Sequence, residues 1–363
     1  MIVTFPRFGH SAEMVSLMFE ELGIPCIIPP HNDYDVLKKG SQISPEEICL
    51  PFKYMAGGLM QSYSQGADTV VMVATCGPCR LGEYGQLLKE VLDNAGYNYN
   101  WIIIDSPAVI GTKEFIRRIG AVAEEKRPAK HKIVNAAFNT VKLIKALDSL
   151  ENRIKRINGY VGAHSSCIRI MNELDDKIAS LKSFDEGFEL IRATKRRIRK
   201  LELDRTVNPI KILIVGEIYT SIEKEANRKL EDKLMMLGCS VNRHMTISWW
   251  IDNAVKCAAL PAFVKNITMM SRRAFPCGIG GYAKETVNKI QKASEFDGVI
   301  KIMPSGCMPE IVTKAYCENT VNNKLPAVLN LVYDEMDGEA GYETRIEAFV
   351  DMLERRKHVL AGN

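Results

Sequence analysis

The sequence predicts an α/β fold made of two parallel sheets, each wound on both faces with helices, and a helical insert between them. Three observations carry that expectation. Short apolar runs alternate with stretches whose apolar residues recur every three or four positions, the order expected of parallel strands and crossover helices. The alternation breaks off near residue 112 and restarts near residue 210. The two halves also share transitions, since LGIPCII in the first returns as LGCSVN in the second, and DTVVMVA returns as DGVIKIMP.

In chain order, MIVTF predicts a strand and HSAEMVSLMFEEL a helix that ends at LG. PCIIPP follows as a short apolar strand, and the segment after Cys49 opens a helix with Pro51 suited to its first turn. DTVVMVA (68–74) predicts a buried strand, CRLGEYGQLLKEVLDNAG a helix and NWIIID (100–105) a further strand. In the second half KILIVGEIY predicts a strand, and TSIEKEANRKLEDKLMML a helix capped by Thr220 or Ser221. DGVIKIMP (297–304) and PAVLNLVYD (326–334) supply strands, and TRIEAFVDMLERR a last amphipathic helix. The expected organisation is a flavodoxin- or Rossmann-like lobe over 1–112, a mainly helical connection over 113–207 and a second such lobe over 208–363. Duplication of this kind predicts a cleft faced by the carboxyl ends of both sheets.

Bulk composition narrows the class. The 363 residues are 46% hydrophobic and 25% charged, values of an ordinary globular protein. MIVTFPRFGH has neither a basic n-region nor a signal-type apolar core, and no apolar run reaches the ~18 residues a membrane span needs. A cytoplasmic protein without a membrane partner is expected. Net charge of +4 is too small to imply nucleic acid. That charge is uneven: residues 113–205 hold 22 Lys and Arg against 13 Asp and Glu. This basic segment is a solvated face or a docking surface for an acidic partner protein.

The chemistry lies in the ten cysteines, which in a cytosolic chain of this size read as reduced, catalytic or metal-binding thiols rather than as a disulfide framework. CGPC at 76–79 suits a redox pair, a metal clamp or two buried thiols on a turn. A thioredoxin-type pair is disfavoured, because Thr75 stands where a tryptophan is usual. Ligands of open parallel sheets bind beyond the carboxyl ends of strands, where helix N-termini also point. Cys76 and Cys79 directly follow strand 68–74, Cys307 follows strand 297–304, and Cys49 precedes a helix, so these four form the candidate ligand set. Cys277, before the glycine-rich GIGG turn, is a candidate fifth donor. Cys26 and Cys239 stand at matching strand starts as small buried hydrophobes. Cys167, Cys257 and Cys317 are read as helix residues without ligand spacing. Lys53 and Arg80 closely follow their cysteines and would add positive field. Four thiolates from distant segments suit an iron–sulfur cluster better than zinc, which favours compact paired knuckles. Arg7, His10, Glu310 and Arg345 are lone polar residues that line the cleft or serve as caps and ion-pair partners.

Four segments together resemble the 2-hydroxyacyl-CoA dehydratase superfamily in its activase-associated branch, related to the double-cubane cluster proteins: CLPFK (49–53), CGPCRLGEYG (76–85), DGVIKIMPSGCMPEIV (297–312) and DEMDGEAGYETRIEAF (334–349). The resemblance covers roughly 1–105 and 210–355 and leaves the helical middle aside. It implies a two-lobed protein holding an oxygen-sensitive [4Fe-4S] or double-cubane [8Fe-9S] cluster, with Cys49, Cys76, Cys79 and Cys307 as ligands. It implies as partner a separate ATP-hydrolysing activase with its own cluster, and a homo- or heterodimer. The implied activity is reduction of a small molecule or dehydration of an acyl-CoA by low-potential electrons. A non-catalytic electron or cluster carrier, and a zinc-stabilised two-lobed binding protein, remain the alternatives.

Overall fold

The computed structural model describes the chain apart from residues 75–79, 106–109, 123–125, 164, 260–278, 321–324, 336–337 and 362–363, and apart from the side chains of 80, 254–259, 319–320 and 360–361. The fold is α/β with two sheets, both parallel throughout. The residues gather into two compact units. One comprises Met1–Lys145, Leu181–Gly187 and Ile247–Met270, the other Ala146–Ser180, Phe188–Thr246 and Ser271–Asn363.

The first unit holds β1 (Val3–Thr4), β2 (Thr69–Val73) and β3 (Asn100–Ile104), in the order β1-β2-β3. Register runs Val3↔Thr69 and, from β2 to β3, Thr69↔Asn100 through Val73↔Ile104. The strand expected over 25–30 shrinks to a single parallel bridge, Val3↔Cys26. Its flanking prolines explain this: Pro25, Pro29 and Pro30 have no N–H to give a ladder. The bridge nonetheless lies on the far side of β1 from β2, so the spatial order is 2-1-3-4 in sequence terms. Helix α1 (Ser11–Glu21) packs Ala12 and Phe19 against Val3, Phe5 and Ile24.

Helices α2 (Tyr34–Ile43) and α3 (Leu50–Ser64) form the second layer. They meet backbone to backbone at Gly40 and Gly57. A Cβ on Gly40 would stand 1.7 Å from the Lys53 carbonyl oxygen, and one on Gly57 1.9 Å from that of Val36. Only glycine permits this approach. Asp33 caps α2 by accepting from the Val36 N–H at 2.7 Å. Helix α4 (Tyr84–Asn94) follows a 3-10 turn over Arg80–Glu83. Helix α5 (Thr112–Val122) then leads towards α6 (Lys130–Ile157).

The second unit has the order β5-β4-β6-β7, with β4 (Lys211–Gly216), β5 (Ser240–Arg243), β6 (Gly298–Pro304) and β7 (Ala327–Tyr333). This is again 2-1-3-4, the beginning of a doubly wound sheet. All seven residues of β6 are buried, as a strand covered on both faces requires. Leu213, Val215 and Val299 make the core with Ile290 and Ala293.

Two expectations for this half need correction. The strand ends at Gly216 rather than running through Tyr219, and the helix expected over 220–237 is two pieces, α7 (Ile218–Ile222) and α8 (Leu230–Met236). Glu217, not Thr220 or Ser221, is the cap: its carboxylate accepts from the Tyr219 and Thr220 N–H groups at 2.9 and 2.8 Å. Asn227 breaks the helix by donating to the Thr220 carbonyl and accepting from the Leu230 N–H, so a side chain replaces backbone bonds. Helix α9 (Ile247–Ala259), α10 (Ala283–Gln291), α11 (Met308–Thr320) and α12 (Glu339–Ala361) complete the described α/β elements. Residues 165–198 add two amphipathic helices, Ser165–Ile178 and Phe184–Ile198. Among the described residues, no helix is long and apolar enough to cross a membrane.

Candidate functional site

Among the described residues, the carboxyl end of each sheet carries a cysteine placed by the same local device. In the first unit Cys49 is the N-cap of α3, in extended backbone (φ −69°, ψ 151°), with Pro51 at the second helical position. Because α3 runs into the start of β2, its N-terminus points to the carboxyl edge of the sheet. In the second unit Cys307 directly precedes α11, and its carbonyl accepts the first helical bond, from the Ile311 N–H at 3.0 Å. Pro309 again lies two residues on. Proline there has no N–H to leave orphaned and a φ already suited to a helix. Cysteine is an unusual cap, since sulfur is a weak acceptor, and Cys49 makes no capping hydrogen bond. What a helix N-terminus offers a cysteine is stabilisation of the thiolate by the backbone N–H dipoles.

Around Cys49 the surroundings are aromatic. Its sulfur is hydrogen-bonded with the Tyr84 hydroxyl at the start of α4. The Tyr84 ring is buried and stands edge-on to Phe52, centroids 5.1 Å apart at 83°. Lys53, one turn into α3, is buried and reaches the Glu46 carbonyl at 3.4 Å. Arg80 opens the 3-10 turn, but its side chain lies outside the described residues, as do Cys76, Cys79 and Cys277. Among the described residues, no three or more His, Cys, Asp or Glu side chains gather where they could hold a metal ion.

Cys307 is itself 8% exposed, and the first turn of its helix is fixed by a buried charge pair. Lys301, fully buried in β6, lies 3.1 Å from Glu310 Oε2 and donates to the Glu310 carbonyl. Thr286 donates to Glu310 Oε1 at 3.0 Å. Glu310 is therefore an ion-pair partner that pins α11 to the sheet. Burial pushes its carboxyl above the usual range, opposed by Lys301 and Thr286. Glu217, beyond the end of the neighbouring strand β4, is also raised by burial, against the N–H groups it caps. Arg345 is exposed and ties α12 to β7 by donating to the Asn330 carbonyl at 2.6 Å.

Arg7 and His10 belong to a cluster beyond β1. Arg7 is buried, donating to Glu13 at 2.7 Å and to the Pro29 carbonyl at 3.0 Å. His10 and His31 flank Glu13 at 4.0 and 3.9 Å. Sequence reasoning named Arg7 and His10 but missed Glu13, His31, Tyr84 and Lys301. One signal was present for Lys301: a lone lysine inside GVIKIMP, an otherwise buried strand, must find a buried anion.

The remaining described thiols are packing residues. Burial pushes Cys26 and Cys239 up to about 12, and Cys167 and Cys317 up to about 11. These are protonated, apolar fillers at neutral pH. No family model matches the chain, and no characterised protein matches it.

Proposed function

We propose that this chain is an iron–sulfur protein of the 2-hydroxyacyl-CoA dehydratase type, which takes low-potential electrons from a separate ATP-hydrolysing activase and reduces a small molecule or an acyl-CoA. The observation that carries the proposal is the repeated Cys-x-Pro device, a thiol at a helix N-terminus at the carboxyl end of both sheets. The donors present are of the kind an iron–sulfur centre takes. Cys49, Cys76, Cys79 and Cys307 would hold it, with Cys277 as a further donor if the centre is the larger double cubane. Such a cluster supplies one-electron transfer at low potential when bound. The chain's own part is electrostatic. The N-termini of α3 and α11 favour thiolate over thiol, and a Tyr84 hydroxyl donating to the Cys49 sulfur would withdraw charge from it. The buried Phe52 ring packs edge-on against Tyr84 and holds its hydroxyl towards that sulfur. Lys53 and Arg80 would offset negative charge.

Anaerobic purification followed by iron and sulfide quantification and electron paramagnetic resonance tests this. A brown protein with stoichiometric iron and sulfide is expected, the iron count separating one cubane from two. Colourless protein with bound zinc would sink the proposal.

A further inference from the structure

The first half of α6 has two faces, and both are apolar. Ala136, Thr140 and Leu143 recur at helical spacing and are buried, and Ile133 packs with Ala136 against the core that holds Phe5 and Phe19. On the opposite face Val134 and Phe138, one turn apart, are each 65% exposed, and the half-buried Val141 continues their stripe. A solvated helix face is ordinarily polar, and a phenylalanine left in water forgoes the gain its burial would bring. One such residue needs no explanation, but a stripe at helix-packing spacing does.

Charge around this stripe has one sign. Residues 126–145 hold six Lys and Arg and no Asp or Glu. With about 100° between successive residues of a helix, Lys130 and Lys145 fall on the face of Val134 and Phe138, and Lys142 borders it. At the far end of the stripe Lys145 pairs with Asp252 of α9 at 2.5 Å. Lys130 and Lys132 stand in the first turn of α6, where the helix dipole is already positive. Their i+3 and i+4 neighbours are Ile133, Val134, Asn135 and Ala136, none of them an acid. Cations set against their own helix dipole are an arrangement that an anionic neighbour stabilises.

We propose that this face of α6 is the docking surface for a helix of a second protein, one that presents Asp and Glu on either side of an apolar stripe. Phe138 is the anchor, seated with Val134 and Val141 on the partner's apolar residues, and Lys130 and Lys142 meet the flanking carboxylates. A second copy of this chain is the poorer occupant. A two-fold interface sets a patch against itself, so lysines would face lysines. The inference goes beyond the iron–sulfur reading and stands on this surface alone.

Fluorescence anisotropy of a labelled synthetic helical peptide, with leucine at heptad positions a and d and glutamate elsewhere, titrated with the full chain tests it. Binding is expected, weakened about tenfold in Phe138→Ser, the scale of one anchoring side chain, and less in Val134→Ser. Both positions are exposed, so both variants should keep the circular dichroism of the parent. Lys130→Glu suits the helix dipole better, so it should raise thermal stability while weakening the peptide complex; a purely structural Lys130 would not give both. Raising salt from about 20 to about 200 mM should weaken the parent complex several-fold. Absence of binding, equal binding by parent and Phe138→Ser, or equal binding of a peptide with lysine in place of glutamate overturns the inference. So does sedimentation that shows the chain alone as a dimer which Phe138→Ser dissociates, for the occupant is then a second copy. None of these readings involves iron, so their failure leaves the cluster proposal standing.

Discussion

Single side chains in this protein do work that their neighbours in sequence do not announce. His244, the residue after β5, is held neutral, its pKa lowered from 6.5 to about 4 by burial first and by Lys289 second. Below pH 6.5 the unfolded chain accepts a proton at this position that the folded chain refuses. Stability from this group is therefore complete above pH 6.5 and is lost as pH falls towards 4, on the order of 3 kcal/mol across the window. Urea denaturation at steps from pH 7 to 4.5 should show His244→Gln flattening that decline relative to the parent. Parallel curves would refute it. Lys301 and Glu310 show the same economy of position. The sequence placed Glu310 after Cys307, but its role follows from the strand opposite it, which brings a fully buried ammonium to 3.1 Å.

At the scale of elements, the glycines of α2 and α3 set where Cys49 stands. The carbonyl facing Gly40 belongs to Lys53, four residues beyond that cysteine, so any Cβ there must displace the first turn of α3. Gly40→Ala is expected to cost about 2–3 kcal/mol, the upper range of overpacking, and to lower bound iron. Gly58→Ala is the control: a Cβ there meets nothing within 4 Å, and alanine in a helix interior gains up to about 1 kcal/mol over glycine. Thermal melts and iron content of the two variants settle the matter, and equal behaviour would refute the close-packing account. Most elements were legible from periodicity, since long strands such as 298–304 and 327–333 fall within a residue of their expected bounds. The failures have a common cause. Side-chain hydrogen bonds from Glu217 and Asn227, and prolines at 25, 29 and 30, override local apolar pattern without altering it.

For the whole molecule, the proposed ligands come from segments far apart in sequence, so their substitution separates cofactor binding from folding. Cys49→Ala and Cys307→Ala should lose iron while keeping the circular dichroism of the parent. Cys239→Ala, which trims a packed thiol 1% exposed, should keep iron and lose about 1 kcal/mol. Equal iron in all three would show that the N-cap cysteines hold nothing.

The sequence by itself determined the α/β class, the two parallel sheets and the placement of Cys49 and Cys307 before helices, because strand and helix periods and proline's missing N–H are local facts. Only the tertiary structure decided that Arg7, His10, Glu13 and His31 converge, that Lys301 answers Glu310, and that Gly40 must be glycine. Those are contacts between segments, made by burial and by the price of an unpaired charge, and no spacing along one chain records them.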